Sequence, residues 1–294
     1  RRLGPAAAWR TTRDAPIARQ FTGSAVVDGR MWVVGGLTTN EATAAVYAYD
    51  AAIDTWTRGP DLPIPLHHVM AVNYRDELWV LGGWTPEGGN ESGRNSDRVF
   101  ALRNGAWVEM PKLLRPRVAA AAAVVGDKLV LFGGQTNGQL TRETEVFDGT
   151  AWHDAAPIPT PREHLAGAAG GDFVYAVGGR ELSSSKNLPT FERYDPATDT
   201  WTSLPPMPTA RGGLGAACFD GRVVAAGGEL PRDVLGTVEA FDVDTGLWTT
   251  LAPLGVPRHG FAFDVIGNSI YAVGGAQKPT HAESTARVEV LDFT

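Results

Sequence analysis

Six times along this chain a tryptophan is followed by a Gly-Gly pair whose first glycine lies 26 residues further on. The pairs run from Trp9 to Gly35, Trp56 to Gly82, Trp107 to Gly133, Trp152 to Gly178, Trp201 to Gly227 and Trp248 to Gly274. From the second glycine to the next tryptophan the separations vary, at 20, 24, 18, 22 and 20 residues. A repeat of this length implies units that bury their apolar faces against neighbours, with one half of fixed length and one half free to vary. Function is expected in the variable half.

The fifth repeat shows what one unit is. Residues 214–219 are an apolar run ending at Asp220-Gly221, a dipeptide that tolerates positive φ and suits a tight hairpin. A return strand at residues 222–226 ends at Gly227-Gly228. A loop at 229–236 leads to a third strand at 237–242, and Trp248 opens the fourth. Similar hairpin turns stand at Asp28-Gly29, Arg75-Asp76, Gly126-Asp127, Gly171-Asp172 and Gly267-Asn268. Four antiparallel strands per unit, repeated radially without helices, make a β-propeller. The chain stops at Thr294 after the third strand of its sixth unit, while Trp9 has no Gly-Gly before it. The N-terminal strand is therefore expected to complete the last blade and remove a free edge. The expected fold is all-β: a six-bladed β-propeller of four-stranded antiparallel blades, a single domain over residues 1–294.

The Gly-Gly pair, the aromatic-Asp pair ending the third strand (Tyr49-Asp50, Phe147-Asp148, Tyr194-Asp195, Phe241-Asp242) and the spaced tryptophan resemble the kelch repeat family. Blade 2 departs most, with Leu102-Arg103 in place of the aromatic and aspartate. The resemblance implies a propeller but no single activity, since the family spans adaptors, copper oxidases of sugars and sialic acid mutarotases.

Composition narrows the classes. A net charge of -7 with no basic face argues against nucleic acid as the main partner. The longest apolar run, residues 118–125, is far too short to span a bilayer. The lone Cys218 allows no intrachain disulfide and sits in an apolar run, where a buried, inert thiol is expected. Copper oxidases of this family need a cysteine crosslinked to a tyrosine in a loop, so that activity is not expected. The start at Arg1 and the alanine-, arginine- and valine-rich, lysine-poor makeup suit an excised domain of a bacterial protein, expected to be extracytoplasmic or secreted and monomeric.

Two recurring charges are read as scaffold. An arginine lies ten residues after five of the six tryptophans (Arg19, Arg117, Arg162, Arg211, Arg258), with Leu66 in blade 2. A third-strand glutamate recurs at Glu145, Glu192, Glu239 and Glu289, with Tyr47 and Phe100 in blades 1 and 2. An Arg–Glu pair within the blade is expected in blades 3 to 6.

The blades differ where ligands bind. The loops from the second to the third strand are longer in blades 2, 4 and 6, and blade entries there carry His67, His68, His164 and His259. Alternate blades are related by approximate threefold symmetry, so these histidines are expected to face the channel mouth. Strand parity sends His259 to the side opposite its counterparts. A non-metal pocket is the expected form; a metal held by His68, His164 and His259 is the alternative, and no cofactor is expected.

In kelch adaptors the positions just past Gly-Gly and the two residues after the arginine site grip peptides. By that resemblance the ligand-binding candidates are His67, His68, Trp84, Gln135, Glu163, His164, Arg180, Glu229 and His259. Trp84 offers a stacking face and Arg180 a fork for a ligand carboxylate. The leading reading is a non-catalytic module that binds a protein segment or a small, anionic or sugar ligand, alone or as a sensor head. The alternatives are a carbohydrate-active enzyme using Glu163, His164 and Arg180 for acid–base and carboxylate-binding roles, and a structural platform. Residues 87–97, rich in Gly, Asn and Ser, form a lid or a mobile tip.

Overall fold

The structure, a computed structural model, describes residues 1–39, 41–86 and 94–294; most of the expected lid, residues 87–93, lies outside them. Among the described residues the strands form six four-stranded antiparallel sheets and one short hairpin, Gln135–Thr136 with Gln139–Leu140. Blade 1 runs from the axis outward as Gly23–Val27, Arg30–Val34, Val46–Asp50 and Thr55–Arg58. The innermost strands of the next four blades are Met70–Tyr74, Ala121–Val125, Ala166–Gly170 and Gly215–Phe219. Blade 6 is built from Ala262–Ile266, Ser269–Val273 and Val288–Asp292, and its outer strand is the N-terminal Arg10–Thr11, paired to Val290 and Glu289. The ring is sealed as the orphan Trp9 suggests.

Each of the six spaced tryptophans has a job that explains its spacing. Its indole Nε1 donates to a carbonyl of the preceding blade, always the one four residues after that blade's own tryptophan. Trp56 reaches Arg13, Trp107 Pro60, Trp152 Pro111, Trp201 Ala156 and Trp248 Pro205, at 2.9 to 3.4 Å. Trp9 closes the circle on Ala252 at 2.8 Å. Six hydrophobic clusters fill the six junctions between consecutive blades.

The Gly-Gly pairs tie the inner rim. In blade 5, Gly227 (φ +66°) would place a Cβ 2.6 Å from the Arg258 carbonyl oxygen of the next blade. Gly228 then donates its N–H to that same carbonyl at 3.0 Å. The other five blades repeat this bond, at 2.7 to 2.9 Å. Only a residue without a side chain permits so close an approach.

The expected Arg–Glu pairs are present and buried: Arg117–Glu145, Arg162–Glu192, Arg211–Glu239 and Arg258–Glu289, at 2.5 to 2.7 Å. Each arginine of the five also donates to the first-glycine carbonyl of its own blade. In blade 1, Arg19 lies over the Tyr47 ring at 5.6 Å. In blade 2, Leu66 and Phe100 pack in one apolar cluster.

Candidate functional site

The residue two past the arginine site adopts left-handed φ in every blade: Phe21 (51°), His68 (50°), Ala119 (53°), His164 (51°), Gly213 (68°) and Gly260 (63°). Their backbones form a closed ring of six hydrogen bonds around the axis. Each N–H donates to the carbonyl of the preceding blade's equivalent: His68 to Phe21, Ala119 to His68, His164 to Ala119, Gly213 to His164, Gly260 to Gly213 and Phe21 to Gly260, at 2.6 to 3.1 Å. One residue earlier, Gln20, His67, Val118, Glu163, Gly212 and His259 each form a β-bridge to the residue just past the Gly-Gly pair, namely Leu37, Trp84, Gln135, Arg180, Glu229 and Ala276. All nine candidates therefore sit on one rim.

The side chains on that rim converge unevenly. Four of the six histidines gather about Phe21, and a fifth, His67, packs on His68. His68 stacks on Phe21 with centroids 3.8 Å apart, and His164, His259 and His281 meet its edge or face at 5.2 to 5.9 Å. His259, one residue earlier in the register than His68 and His164, meets the Phe21 ring but turns its Nε2 to the Lys278 carbonyl. Gly260 leaves the room Phe21 occupies: a Cβ there would stand 2.9 Å from its ring. Phe21 and His281 escaped the sequence reading. Phe21 shares the register of His68 and was legible from Arg19; His281 comes from the long blade 6 loop, where no register applies.

A chain of hydrogen bonds runs through the cluster. His67 Nδ1 lies 2.6 Å from His68 Nδ1, and His68 Nε2 lies 3.1 Å from His164 Nε2. His164 Nδ1 meets Glu163 Oε2. Arg180 donates from Nε to Glu163 Oε1 and from Nη1 to Glu229 Oε1, both at 2.8 Å. Glu229 Oε2 accepts from the Thr280 N–H at 2.7 Å and stands 3.6 Å from His259 Nε2. Burial, with the neighbouring positive groups second, pushes His68 and His164 well below the usual imidazole range. Burial takes His67 down to about 4 and lowers His259 and His281 too.

Neutral rings fix the direction of the chain. The Glu163 carboxylate can only accept, so His164 carries its proton on Nδ1 and presents Nε2 as acceptor. His68 then donates from Nε2 and accepts at Nδ1, and His67 donates from Nδ1. Among the described residues, what remains is the lone pair of His67 Nε2, on a ring stacked against Trp84 at 4.7 Å and 24°. The Arg94 guanidinium lies over Trp84 at 5.5 Å.

Two expectations change. Arg180 does not hold its fork open for a ligand carboxylate, because Glu163 and Glu229 occupy it. The acid–base group Glu163, His164 and Arg180 does meet, but the far nitrogen of His164 faces His68 rather than an open position. Among the described residues no group of three His, Cys, Asp or Glu side chains is placed to hold a metal ion. His259 directs Nε2 to the Lys278 carbonyl at 2.9 Å instead of joining His68 and His164. Gln135 lies on the rim in blade 3, its backbone in the small hairpin.

Comparison with known proteins decides the family. The KLHDC2/KLHL20/DRC7 Kelch-repeats domain matches residues 66–275, and the Kelch motif matches residues 18–63. This chain belongs to the kelch-repeat family. It is similar to Kelch-like protein terF of Aspergillus terreus, 29% identical over 75% of this chain and 52% of that protein. It is also similar to beta-scruin of Limulus polyphemus, 27% identical over 71% of this chain and 24% of that one. The chain thus spans about half or less of the length of these relatives. Among solved structures, that of YjhT superposes with a TM-score of 0.80 at 16% identity, covering 94% of this chain and 95% of that one, which supports the six-bladed fold. No helix among the described residues is long and apolar enough to cross a membrane.

Proposed function

We propose that this kelch propeller is a non-catalytic binding module that takes a protein segment on the loop face of blades 2, 4 and 6. The observation that carries the reading is the directed histidine chain, which ends in one acceptor, His67 Nε2, beside the Trp84 ring. Within the cluster His68, His164, Glu163 and Arg180 engage one another; the edge at blade 2 is where a partner's N–H and planar surface find a match. The relatives extend well beyond the matched region, which fits a role as the recognition head of a larger protein, extracytoplasmic in the form we favour.

The test is selection from a random peptide display library against the wild type, followed by affinity measurement on Trp84→Ala and His67→Ala. A central aromatic anchor is worth about 2 kcal/mol or more, so selected peptides should lose about thirtyfold on Trp84→Ala. Peptides that bind both variants as tightly as wild type overturn the assignment to this rim. If affinity survives changes to both His164 and Arg180 as well, the partner sits on the outer blade edges and the chain is a structural platform. A second reading, a carbohydrate-active enzyme, draws support from the hydrogen bond between Glu163 and His164, an orienter and base in contact. Sugar turnover lost on Glu163→Gln would favour it.

A further inference from the structure

Below the histidine cluster the propeller axis opens into a second space. The channel along the propeller axis, open to solvent, offers about 410 Å³. A smaller space of about 110 Å³, bounded by Phe21, His68 and His164, separates it from the rim. That size suits a small organic molecule. The walls are mostly alanine and valine from the inner strands, and among the described residues that line it there is no lysine, arginine or histidine. One charge-bearing carboxyl interrupts them: Asp264, in the inner strand of blade 6.

Asp264 is poorly provided for. Its Oδ2 is buried without a hydrogen-bond partner, as is the hydroxyl of Thr22 on the same wall. Burial raises its carboxyl to about 7, and a hydrogen bond with Ser24 of blade 1 only partly offsets this. The titratable groups on the packed elements are Tyr271, its cross-strand neighbour, and Cys218, which lines the cavity from blade 5 and whose thiol burial pushes up to about 12. Neither supplies positive charge. A buried carboxyl with an empty acceptor costs stability unless something completes it.

We infer that the axial channel is a binding chamber for a small organic ammonium ion with an apolar body, anchored by Asp264. The ammonium supplies the counter-charge at the channel wall and, when the carboxyl turns its buried Oδ2 toward the channel, the missing donor, and the body fills the alanine-lined space. Ser24 and Asn73 are the nearby polar wall residues. A bare metal ion is a poor occupant, because one carboxylate falls short of the several oxygens such ions require.

Calorimetric titration with cyclohexylamine, compared with cyclohexanol, tests this. Near pH 8 the amine should bind saturably and at least about tenfold tighter than the alcohol. Its affinity should fall by about tenfold toward pH 6, where Asp264 holds its proton. Asp264→Asn should lose the amine preference, and Ala122→Phe, which fills the chamber from blade 3, should abolish binding of both compounds. Equal binding of amine and alcohol, unchanged amine affinity in Asp264→Asn, or no saturable amine binding to the wild type would each overturn the inference. Should Asp264→Asn fail to fold, the pH dependence and Ala122→Phe decide. Trp84→Ala should leave amine binding unchanged, which keeps this chamber distinct from the peptide rim.

Discussion

Exchanging the buried ion pair of blade 5 for the apolar pair that blade 2 uses should cost far less than breaking it. Arg211 donates from Nη2 to Glu239 at 2.7 Å and from Nη1 to the carbonyls of Gly227 and Thr237 at 3.0 and 2.6 Å. Arg211→Leu leaves the Glu239 carboxylate buried with Thr209 as its remaining side-chain donor, at a cost of about 3–5 kcal/mol. Glu239→Phe strands the guanidinium, but Arg19 in blade 1 survives without a carboxylate on three backbone carbonyls and the Tyr47 face. That loss should therefore be smaller, about 2–3 kcal/mol. The double variant recreates Leu66 with Phe100, both fully buried in blade 2. The Thr237 carbonyl still accepts from the Gly227 N–H at 3.0 Å, so about 1–2 kcal/mol should remain lost. Guanidinium unfolding of the four proteins, with m-values unchanged, gives the coupling directly. A double variant as unstable as the sum of the singles would refute the claim that the pair is an interchangeable staple.

Three more outcomes follow from named contacts, two of them tied to the proposals above. Histidines held neutral bind fewer protons folded than unfolded, so stability is full above about pH 6.5 and falls below it by up to about 1.4 kcal/mol per unit for each residue, levelling for His67 near about 4. His68→Phe, the residue blade 1 already carries on this ring, should flatten that fall in unfolding midpoints; an unchanged slope means His68 is not a buried neutral ring. Trp9→Ala removes the indole bond to Ala252 and the packing against Phe263, and should cost about 2–3 kcal/mol while exposing the N-terminal strand to limited proteolysis. Protection equal to wild type would mean that the N-terminal strand alone seals the ring. The peptide loss on Trp84→Ala and the amine loss on Asp264→Asn should be independent of each other.

The fold was legible because its spacing is enforced at both ends. The indole bond fixes the tryptophan against one neighbour, and the Gly-Gly pair is pinned under a carbonyl of the other, so the 26 residues between them cannot drift. The Arg–Glu pairs were legible for the same reason, as a charge recurring in fixed register. The site was legible only in part. His68 and His164 share a register and meet; Arg180 was expected to hold a ligand carboxylate, and nothing in a sequence shows that Glu163 and Glu229 would engage its guanidinium. Asp264 left a faint signal, a lone acid in an apolar inner strand, but its isolation becomes visible only when the opposing walls are known to be alanine and valine.

The position of the site also qualifies the opening expectation that function belongs to the half of the repeat that varies in length. The loops of blades 4 and 6 do reach the cluster, through Asn187 on the Glu229 carbonyl and His281 beside Phe21. The histidines themselves, however, lie in the half whose length never changes. Holding four non-glycine residues at left-handed φ on the inner ring costs on the order of 1 kcal/mol or more each, and two glycines in blades 5 and 6 show that the fold does not require those side chains. The closed ring of six backbone hydrogen bonds supports that strain, and the invariant length keeps each side chain aimed at the axis. In such a propeller, functional residues are best sought at the constant offsets whose residue type changes from blade to blade.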